Sequence, residues 1–153
     1  MSLEDKALNL AKQRRLEREL AAAKMEATEN AKKVAVERAE KLAREFVDLA
    51  VKYGAAPRKL YAASGESPGL RLIGEVWQLR QYQESYYDTD AVPGIAIARN
   101  GEVMYVTTTS TGLVRQGSGS MWDEFMERDK FQGEKWEQLV VEVASQIAEK
   151  RLK

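Results

Sequence analysis

The chain contains neither cysteine nor histidine. The lack of cysteine excludes disulfides, thiol nucleophiles and thiolate zinc sites, and it fits a reducing compartment. The lack of histidine removes the commonest general base and the commonest transition-metal ligand. Histidine-dependent triads and histidine–metal centres are therefore excluded. We predict a protein that is not an enzyme and that uses no metal and no cofactor.

The chain also lacks an excess of charge and a long apolar run. Its 24 basic and 24 acidic side chains balance to a net charge of zero, so no global field attracts nucleic acid or an anionic membrane. No segment approaches the run of about 18 apolar residues that a membrane-spanning helix needs. The N-terminal residues carry charge throughout, unlike a signal peptide. We expect a cytoplasmic protein with no membrane association.

Glycine and proline are absent from the first fifty-two residues, while all ten glycines and all three prolines follow. Those first residues are rich in Ala, Leu, Glu, Lys and Arg, the residue types that favour helix. Ser2 is a suitable N-cap, and Gly54 is a suitable residue to end a helix. The sequence therefore predicts one long helix from Leu3 to near Tyr53.

Apolar residues of this helix recur at heptad spacing in two segments. The first consists of Leu16, Leu20, Ala23 and Ala27, and the second of Ala35, Ala39, Leu42, Phe46, Leu49 and Tyr53. Between the segments the alanine spacing is one residue too long for a heptad, so two arrangements stay open: a continuous coiled-coil helix, or a hairpin that bends near Asn30. We expect residues 35–53 to pack firmly and residues 1–30 to depend on a partner.

The rest of the chain alternates between strand and turn signals. Residues 70–82 suit a strand that is buried on both sides and bulged at Gly74. Asn100 and Gly101 separate two β-rich runs, as in a two-residue type I′ hairpin. Its register pairs Arg99 with Glu102, Ile97 with Met104 and Ile95 with Val106. A final amphipathic helix is predicted from Glu134 to Leu152.

These elements predict an α+β protein in which a long N-terminal helix precedes a small antiparallel three-stranded sheet packed with C-terminal helices. On this basis the chain has a helical stem over residues 1–53, a turn and linker over 54–69, and a small α+β domain over 70–153.

Three residues between Phe46 and Ala63 have a spacing used in DNA-binding motifs. Ala50, Gly54 and Leu60 lie where helix-turn-helix proteins place a small residue, the turn glycine and a buried apolar residue. The segment resembles the turn of TetR-type repressors. This resemblance implies a helix after Pro57, with Arg58 and Lys59 facing the major groove or phosphates and Tyr61 contacting the backbone.

The preferred hypothesis is a non-enzymatic protein that binds other proteins through its N-terminal helix, either as a homo-oligomer, most simply a dimer, or with a foreign partner. A DNA-binding regulator that uses residues 46–63 is the alternative. Glu84, Asp88 and Asp90 carry oxygens that can hold Mg²⁺ or Ca²⁺, but they match no calcium-loop spacing, so we interpret them as an exposed acidic loop. The predicted interaction face consists of Leu16, Leu20, Leu42, Phe46, Leu49, Tyr82, Tyr86 and Tyr87.

Overall fold

The computed structural model describes residues 2–63, 69–83, 92–122, 124–125 and 134–152. The elements in chain order are helix α1 (Leu3–Lys52), strands β1 (Arg58–Ala63), β2 (Leu70–Arg80), β3 (Gly94–Ala98), β4 (Val103–Thr108) and β5 (Val114–Gln116), and helix α2 (Glu134–Leu152). The chain forms two compact units, Met1–Val34 and Ala35–Lys153. Both helices have the bounds expected from their sequence signals, within one residue.

Helix α1 begins and ends at the predicted capping residues. The backbone N–H of Asp5 donates to Ser2 Oγ at 3.2 Å, which satisfies one of the free donors of the first turn. At the other end, the N–H of Ala55 donates to the carbonyl of Ala50 at 2.9 Å, and Gly54 adopts a φ of 70°. These features form a Schellman cap. The helix is continuous through Asn30, so the hairpin alternative is wrong.

The five strands form a closed barrel in the order β1-β2-β3-β4-β5. Consecutive strands pair antiparallel, and β1 closes the barrel by pairing parallel to β5. The prediction of a small three-stranded sheet was therefore wrong, although an α+β arrangement remains. The two missed strands have weak local signals: β1 follows Pro57 in a segment interpreted as a helical turn and linker, and β5 has only three residues.

Strand β1 occupies the position of the expected recognition helix. Leu60 pairs with Gly74 of β2 and with Val114 of β5, and its side chain is buried. Tyr61 pairs with Leu72 and Arg115. A helix-turn-helix needs a helix at these residues, so the structural resemblance to TetR-type repressors was wrong. The assignment of DNA contacts to this segment loses its basis.

The two faces of the sheet carry different apolar clusters. The barrel interior is filled by side chains, as expected of a small barrel; it contains Leu60, Val76, Ala96, Met104, Val106 and Val114. The outer face packs with both helices in a second cluster that includes Trp77, Ile95, Ile97, Phe46, Trp136 and Val140. Strand alternation thus supplies a core on each side of the sheet.

The hairpin between β3 and β4 has a different turn from the predicted one. Gly101 donates its N–H to the Ala98 carbonyl at 2.9 Å, and Ala98 donates to the Glu102 carbonyl at 2.8 Å. The loop therefore has three residues, and Gly101 takes the left-handed conformation with a φ of 89°. This matches the three-residue hairpin that ends in a glycine bulge.

The extra loop residue shifts the register by one. Ile97 pairs with Val103 and Ile95 pairs with Tyr105, so the predicted partners Met104 and Val106 were wrong. Those two residues face the barrel interior instead, because a one-residue slip exchanges the faces. The predicted pair of Arg99 with Glu102 is also wrong.

Arg99 contacts strand β2 instead. Its Nε lies 3.3 Å from Glu75 Oε1, and its guanidinium carbon lies 5.5 Å from the centre of the Trp77 ring. The cation thus covers one face of a tryptophan that belongs to the outer cluster.

Strand β2 forms as predicted but is buried over only part of its length. Leu70, Leu72 and Ile73 are exposed, whereas Val76 and Trp77 are buried. The register shift opposite Leu60 and Tyr61 leaves Ile73 without a direct partner, which confirms the bulge beside Gly74. Exposure at the beginning of the strand means that the prediction of burial on both sides was wrong there.

A second bulge in β2 turns Arg80 toward the outer face. The register shifts between Gln78 and Arg80, and Arg80 then pairs with Ile95. Its Nη1 donates to Glu124 Oε1 at 2.9 Å, and the hydroxyl of Tyr105 donates to Glu124 Oε2. Bulges commonly re-aim a side chain in this way. The result is a half-buried polar cluster that joins β2, β4 and the segment that precedes α2.

Candidate functional site

Helix α1 displays large apolar side chains to solvent near its N-terminus. Every residue from Ser2 to Ala31 is exposed. The exposed fraction is 71% for Leu20 and 54% for Val34. The other large exposed apolar residues in the unit Met1–Val34 are Leu3, Leu8, Leu10, Leu16 and Met25. This unit therefore exposes apolar side chains of a single helix to solvent.

Six residues of this unit share one heptad frame. The set consists of Leu16, Leu20, Ala23, Ala27, Asn30 and Val34, and we call it the N-terminal seam. The spacing of four and three residues continues unbroken from Ala27 through Asn30 to Val34. In the sequence, the competing alanine spacing from Ala27 to Ala35 obscures this continuation. The exposures show that Val34, and not Ala35, continues the exposed seam, because Val34 is 54% exposed and Ala35 only 6%.

The remaining members of the predicted interaction face differ in their accessibility. Phe46 is 2% exposed and belongs to the outer cluster, so its place on an interaction face was wrong. The spacing identified Phe46 as apolar contact surface, but the contact is internal. Leu42, Leu49 and Tyr82 are half-buried. Tyr86 and Tyr87 lie outside the described residues.

The three candidate DNA-contacting residues lie on strand β1. Arg58 donates from Nη1 to Gln78 Oε1 at 3.0 Å and from Nη2 to the Gly112 carbonyl at 2.7 Å. These bonds tie β1 to β2 and to the β4–β5 loop. Lys59 is exposed and Tyr61 is half-buried. The structure thus gives Arg58 an architectural contact that the sequence did not indicate.

Glu84, Asp88 and Asp90 lie outside the described residues. Within the described part of the chain, no group of three or more Asp, Glu, His or Cys side chains is arranged to hold a metal ion. A search of the same residues finds no helix long and apolar enough to cross a membrane.

A cavity of about 690 Å³ lies within the unit Ala35–Lys153. Its apolar lining includes Phe46 of α1, Tyr53 directly after α1, Trp77 and Leu79 of β2, and Ile147 of α2. Its polar lining consists of Arg58, Gln78, Gln81, Gln146 and Lys150. Polar and apolar groups contribute about equally to the walls of this open cavity.

No family model, curated protein or solved structure matches this chain. The exposed N-terminal seam and the cavity are therefore the features of this chain that point to a function.

Sequence inspection missed the cavity because its lining residues come from distant segments. Tyr53 and Arg58 are close in sequence, but Gln78 and Lys150 are brought to them only by the pairing of β1 with β2 and by the packing of α2. Among the polar lining residues, Arg58 carried a signal, because it follows Pro57 in the segment that resembles a helix-turn-helix. That signal pointed to nucleic acid rather than to a pocket.

Proposed function

We propose that this is a non-enzymatic, cytoplasmic assembly protein that self-associates through its N-terminal seam. The observation that carries the proposal is the solvent exposure of Leu16, Leu20 and Val34 at heptad positions of one helix. Apolar side chains at this spacing are buried when a second heptad helix packs against them. A large exposed apolar patch is unusual unless it serves an interaction.

The charges beside the seam support a second copy of this chain as the partner. In the heptad frame Leu16 is a d position and Leu20 an a position. Two parallel, in-register helices place each g residue near the e residue of the next heptad on the other helix. Lys12 and Glu19 are g residues, and the e residues opposite them are Glu17 and Lys24. Both pairs therefore bring opposite charges together.

An antiparallel pair that aligns the seam is electrostatically worse. Placing Leu16 opposite Val34 of the second copy brings Lys24 near its own symmetry mate and Glu26 near its own symmetry mate, and these two repulsive contacts offset the two attractive contacts between Glu19 and Lys33, whereas the parallel pair gains four attractive contacts. Like charges at facing positions destabilise an association and select against that orientation. The charge pattern therefore favours the parallel pair.

Asn30 gives a second reason for a parallel register. In a parallel pair it faces Asn30 of the second copy, and two side-chain amides can hydrogen-bond to each other. In the antiparallel pair it faces Leu20, which offers no partner to a buried amide. A polar residue within an apolar seam selects one register and lowers stability. Alanine at two further positions buries little area, so we expect a weak dimer.

Light scattering and sedimentation over a concentration series test self-association on the full chain. The expected result is a dimer that forms with rising concentration and that Leu16→Ser combined with Leu20→Ser abolishes. Met25→Ser is the matched control, because Met25 is 69% exposed but lies at an outward f position. A wild-type monomer at every concentration, or an equal effect of Met25→Ser, would contradict the proposal.

A charge exchange tests the orientation. Glu19→Lys or Lys24→Glu alone creates two like-charge contacts per parallel dimer and should weaken it by roughly a few-fold. The double variant restores opposite charges and should recover the dimer. In the monomer Glu19 pairs with Arg15 at 3.3 Å, an exposed contact that contributes little. A double variant that dimerises more weakly than either single variant would exclude the parallel arrangement.

A further inference from the structure

Part of the outer barrel surface is not packed against a helix. Among the described residues, the outer cluster takes strand residues from β2, β3 and β4 and none from β1 or β5. On β1, Leu60 faces the barrel interior, so its neighbours Lys59 and Tyr61 face outward. Tyr61 pairs with Leu72 of β2 and with Arg115 of β5, so these side chains lie on the same side of the sheet. We call the four outward residues, Lys59, Tyr61, Leu72 and Arg115, the open barrel face.

The open barrel face combines apolar and aromatic surface with positive charge. Leu72 is 54% exposed and Tyr61 is half-buried. Lys59 and Arg115 are exposed, and neither forms a salt bridge with another described residue. Tyrosine and arginine are enriched in protein interfaces, where an exposed leucine also gains from burial. This composition favours a protein partner over a nucleic acid, because an aliphatic side chain cannot stack on bases as an aromatic ring does.

One acidic residue borders this face. Glu75 is opposite Lys59 in the β1–β2 register. Its carboxylate contacts Arg99 at 3.3 Å. The cations Lys59, Arg99 and Arg115 outnumber this carboxylate, so the surface carries positive charge. A partner surface that is acidic therefore fits it best.

The outward side of α2 has the complementary character. The other side of this helix belongs to the outer cluster, so the outward side faces away from the barrel of the same chain. Val141 on the outward side is 53% exposed. It lies in an open groove, and among the described residues that line this groove three are glutamates and none is a cation. The other lining residues are Glu134, Glu137, Gln138 and Glu142.

We propose that the open barrel face of one chain binds the outward side of α2 of a second copy. Leu72 and Tyr61 pack against Val141, while Lys59 and Arg115 face the glutamates of the groove. Two open barrel faces do not fit each other, because their cations would meet, and two outward sides of α2 would bring glutamates together. Pairing of the unlike surfaces joins opposite charges and covers exposed apolar side chains of both.

This contact differs from the seam dimer in its residues and in its symmetry. Neither surface contains a residue of the N-terminal seam. Because each chain carries one copy of each surface, the contact is heterologous and can repeat from chain to chain. Seam dimers joined in this way form assemblies larger than a dimer. The contact involves few side chains, so we expect it to be weak and to weaken further as salt screens the charges.

Sedimentation velocity on the full chain carrying Leu16→Ser and Leu20→Ser tests this contact without the seam. The expected result is association that increases with protein concentration and decreases with added salt. Because the seam leucines are removed, the outcome does not depend on whether the seam dimerises, and failure of one proposal can be told from failure of the other. A monomer at every concentration overturns the proposal.

Charge reversal in the same background identifies the two surfaces. One chain carries Lys59→Glu and Arg115→Glu, and another carries Glu134→Lys and Glu142→Lys. Each reversed chain alone places like charges at the contact and should associate on the order of tenfold more weakly than the parent. An equimolar mixture restores opposite charges between unlike chains and should recover the association. A mixture that stays as monomeric as the separate chains overturns the proposal.

A matched control makes the same change in net charge outside both surfaces. Lys6→Glu combined with Lys52→Glu reverses two exposed cations of α1 and should leave the association unchanged. Circular dichroism of each variant checks that the helices remain folded. An equal loss in this control would mean that net charge rather than the two surfaces governs the association, which contradicts the proposal.

Discussion

Helix α1 runs through both units, Met1–Val34 and Ala35–Lys153, but its apolar residues differ in solvent exposure between the two. In the first unit, leucines such as Leu16 and Leu20 are exposed. In the second, the alanines Ala39, Ala43 and Ala50 are at most 4% exposed, although an alanine has less apolar surface to bury. Burial in this chain is therefore decided by what packs against a helix face, not by the hydrophobicity of the residues on it.

Small side chains on α1 are what allow the second unit to pack closely. The indole N–H of Trp136 donates to the backbone carbonyl of Ala39 at 3.0 Å. An indole can reach a helix backbone only where the neighbouring side chains are short. Trp122 and Phe125 then meet the same indole edge to face, at centroid distances of 5.4 and 5.8 Å. The small side chains on α1 thus allow the indole of Trp136 to reach the Ala39 carbonyl.

The largest effect is expected at this contact. Trp136→Ala should lower the free energy of unfolding by about 3–5 kcal/mol, because it removes the largest fully buried side chain among the described residues and its hydrogen bond. Trp136→Phe keeps much of the apolar area and should cost clearly less. Urea denaturation monitored by circular dichroism provides the measurement. Equal stability of wild type and Trp136→Ala would mean that the outer cluster does not hold α1 to α2.

A smaller loss is expected at the polar cluster of the second unit. Glu124→Gln leaves Arg80 beside a neutral amide and should cost about 1–3 kcal/mol in free energy of unfolding. Tyr105→Phe removes one hydroxyl donor from the same carboxylate and should cost less. A double-mutant cycle from chemical denaturation measures the coupling of the two substitutions, which should differ from zero because the Tyr105 hydroxyl donates directly to the Glu124 carboxylate. Strict additivity would exclude a connected cluster.

The helix end tests backbone conformation separately from packing. A Cβ at Gly54 meets nothing within 4 Å, so Gly54→Ala is costly only through its positive φ. The expected loss is about 1–2 kcal/mol. Gly54→Asn should cost less, because asparagine tolerates this conformation. Gly74→Ala serves as a second control in thermal denaturation, because a Cβ at Gly74 also meets nothing within 4 Å. Equal losses for the Ala and Asn variants would argue against a left-handed cap.

The smallest effect sharpens the comparison between the units. Leu20→Ala should change the free energy of unfolding of the second unit by no more than about 0.5 kcal/mol at concentrations where the protein is monomeric. Val47→Ala removes fewer atoms but should cost about 1.5–3 kcal/mol, because Val47 is buried. Denaturant midpoints of the two variants give the comparison. A larger loss at Leu20 would mean that the N-terminal leucines already pack within the monomer.

The sequence by itself determined those features that depend on a few neighbouring residues. Ser2 and Gly54 fixed the ends of α1, the apolar stripe fixed α2 from Glu134 to Leu152, and Gly101 indicated a hairpin. The absence of histidine and cysteine excluded whole classes of chemistry. Caps, turns and helical periodicity act over one or two turns of chain, so they can be recognised without knowing the fold.

Only the tertiary structure decided which strands pair and which faces are covered. Closure of the barrel joins Leu60 to Val114, residues far apart in sequence, and no local pattern specifies that partner. One extra residue in the hairpin loop places Met104 and Val106 inside the barrel rather than on its outer face. The antiparallel pairing of β1 with β2 brings Arg58 to Gln78. Pairing and burial depend on contacts between distant segments, whose free energy appears only when the segments meet.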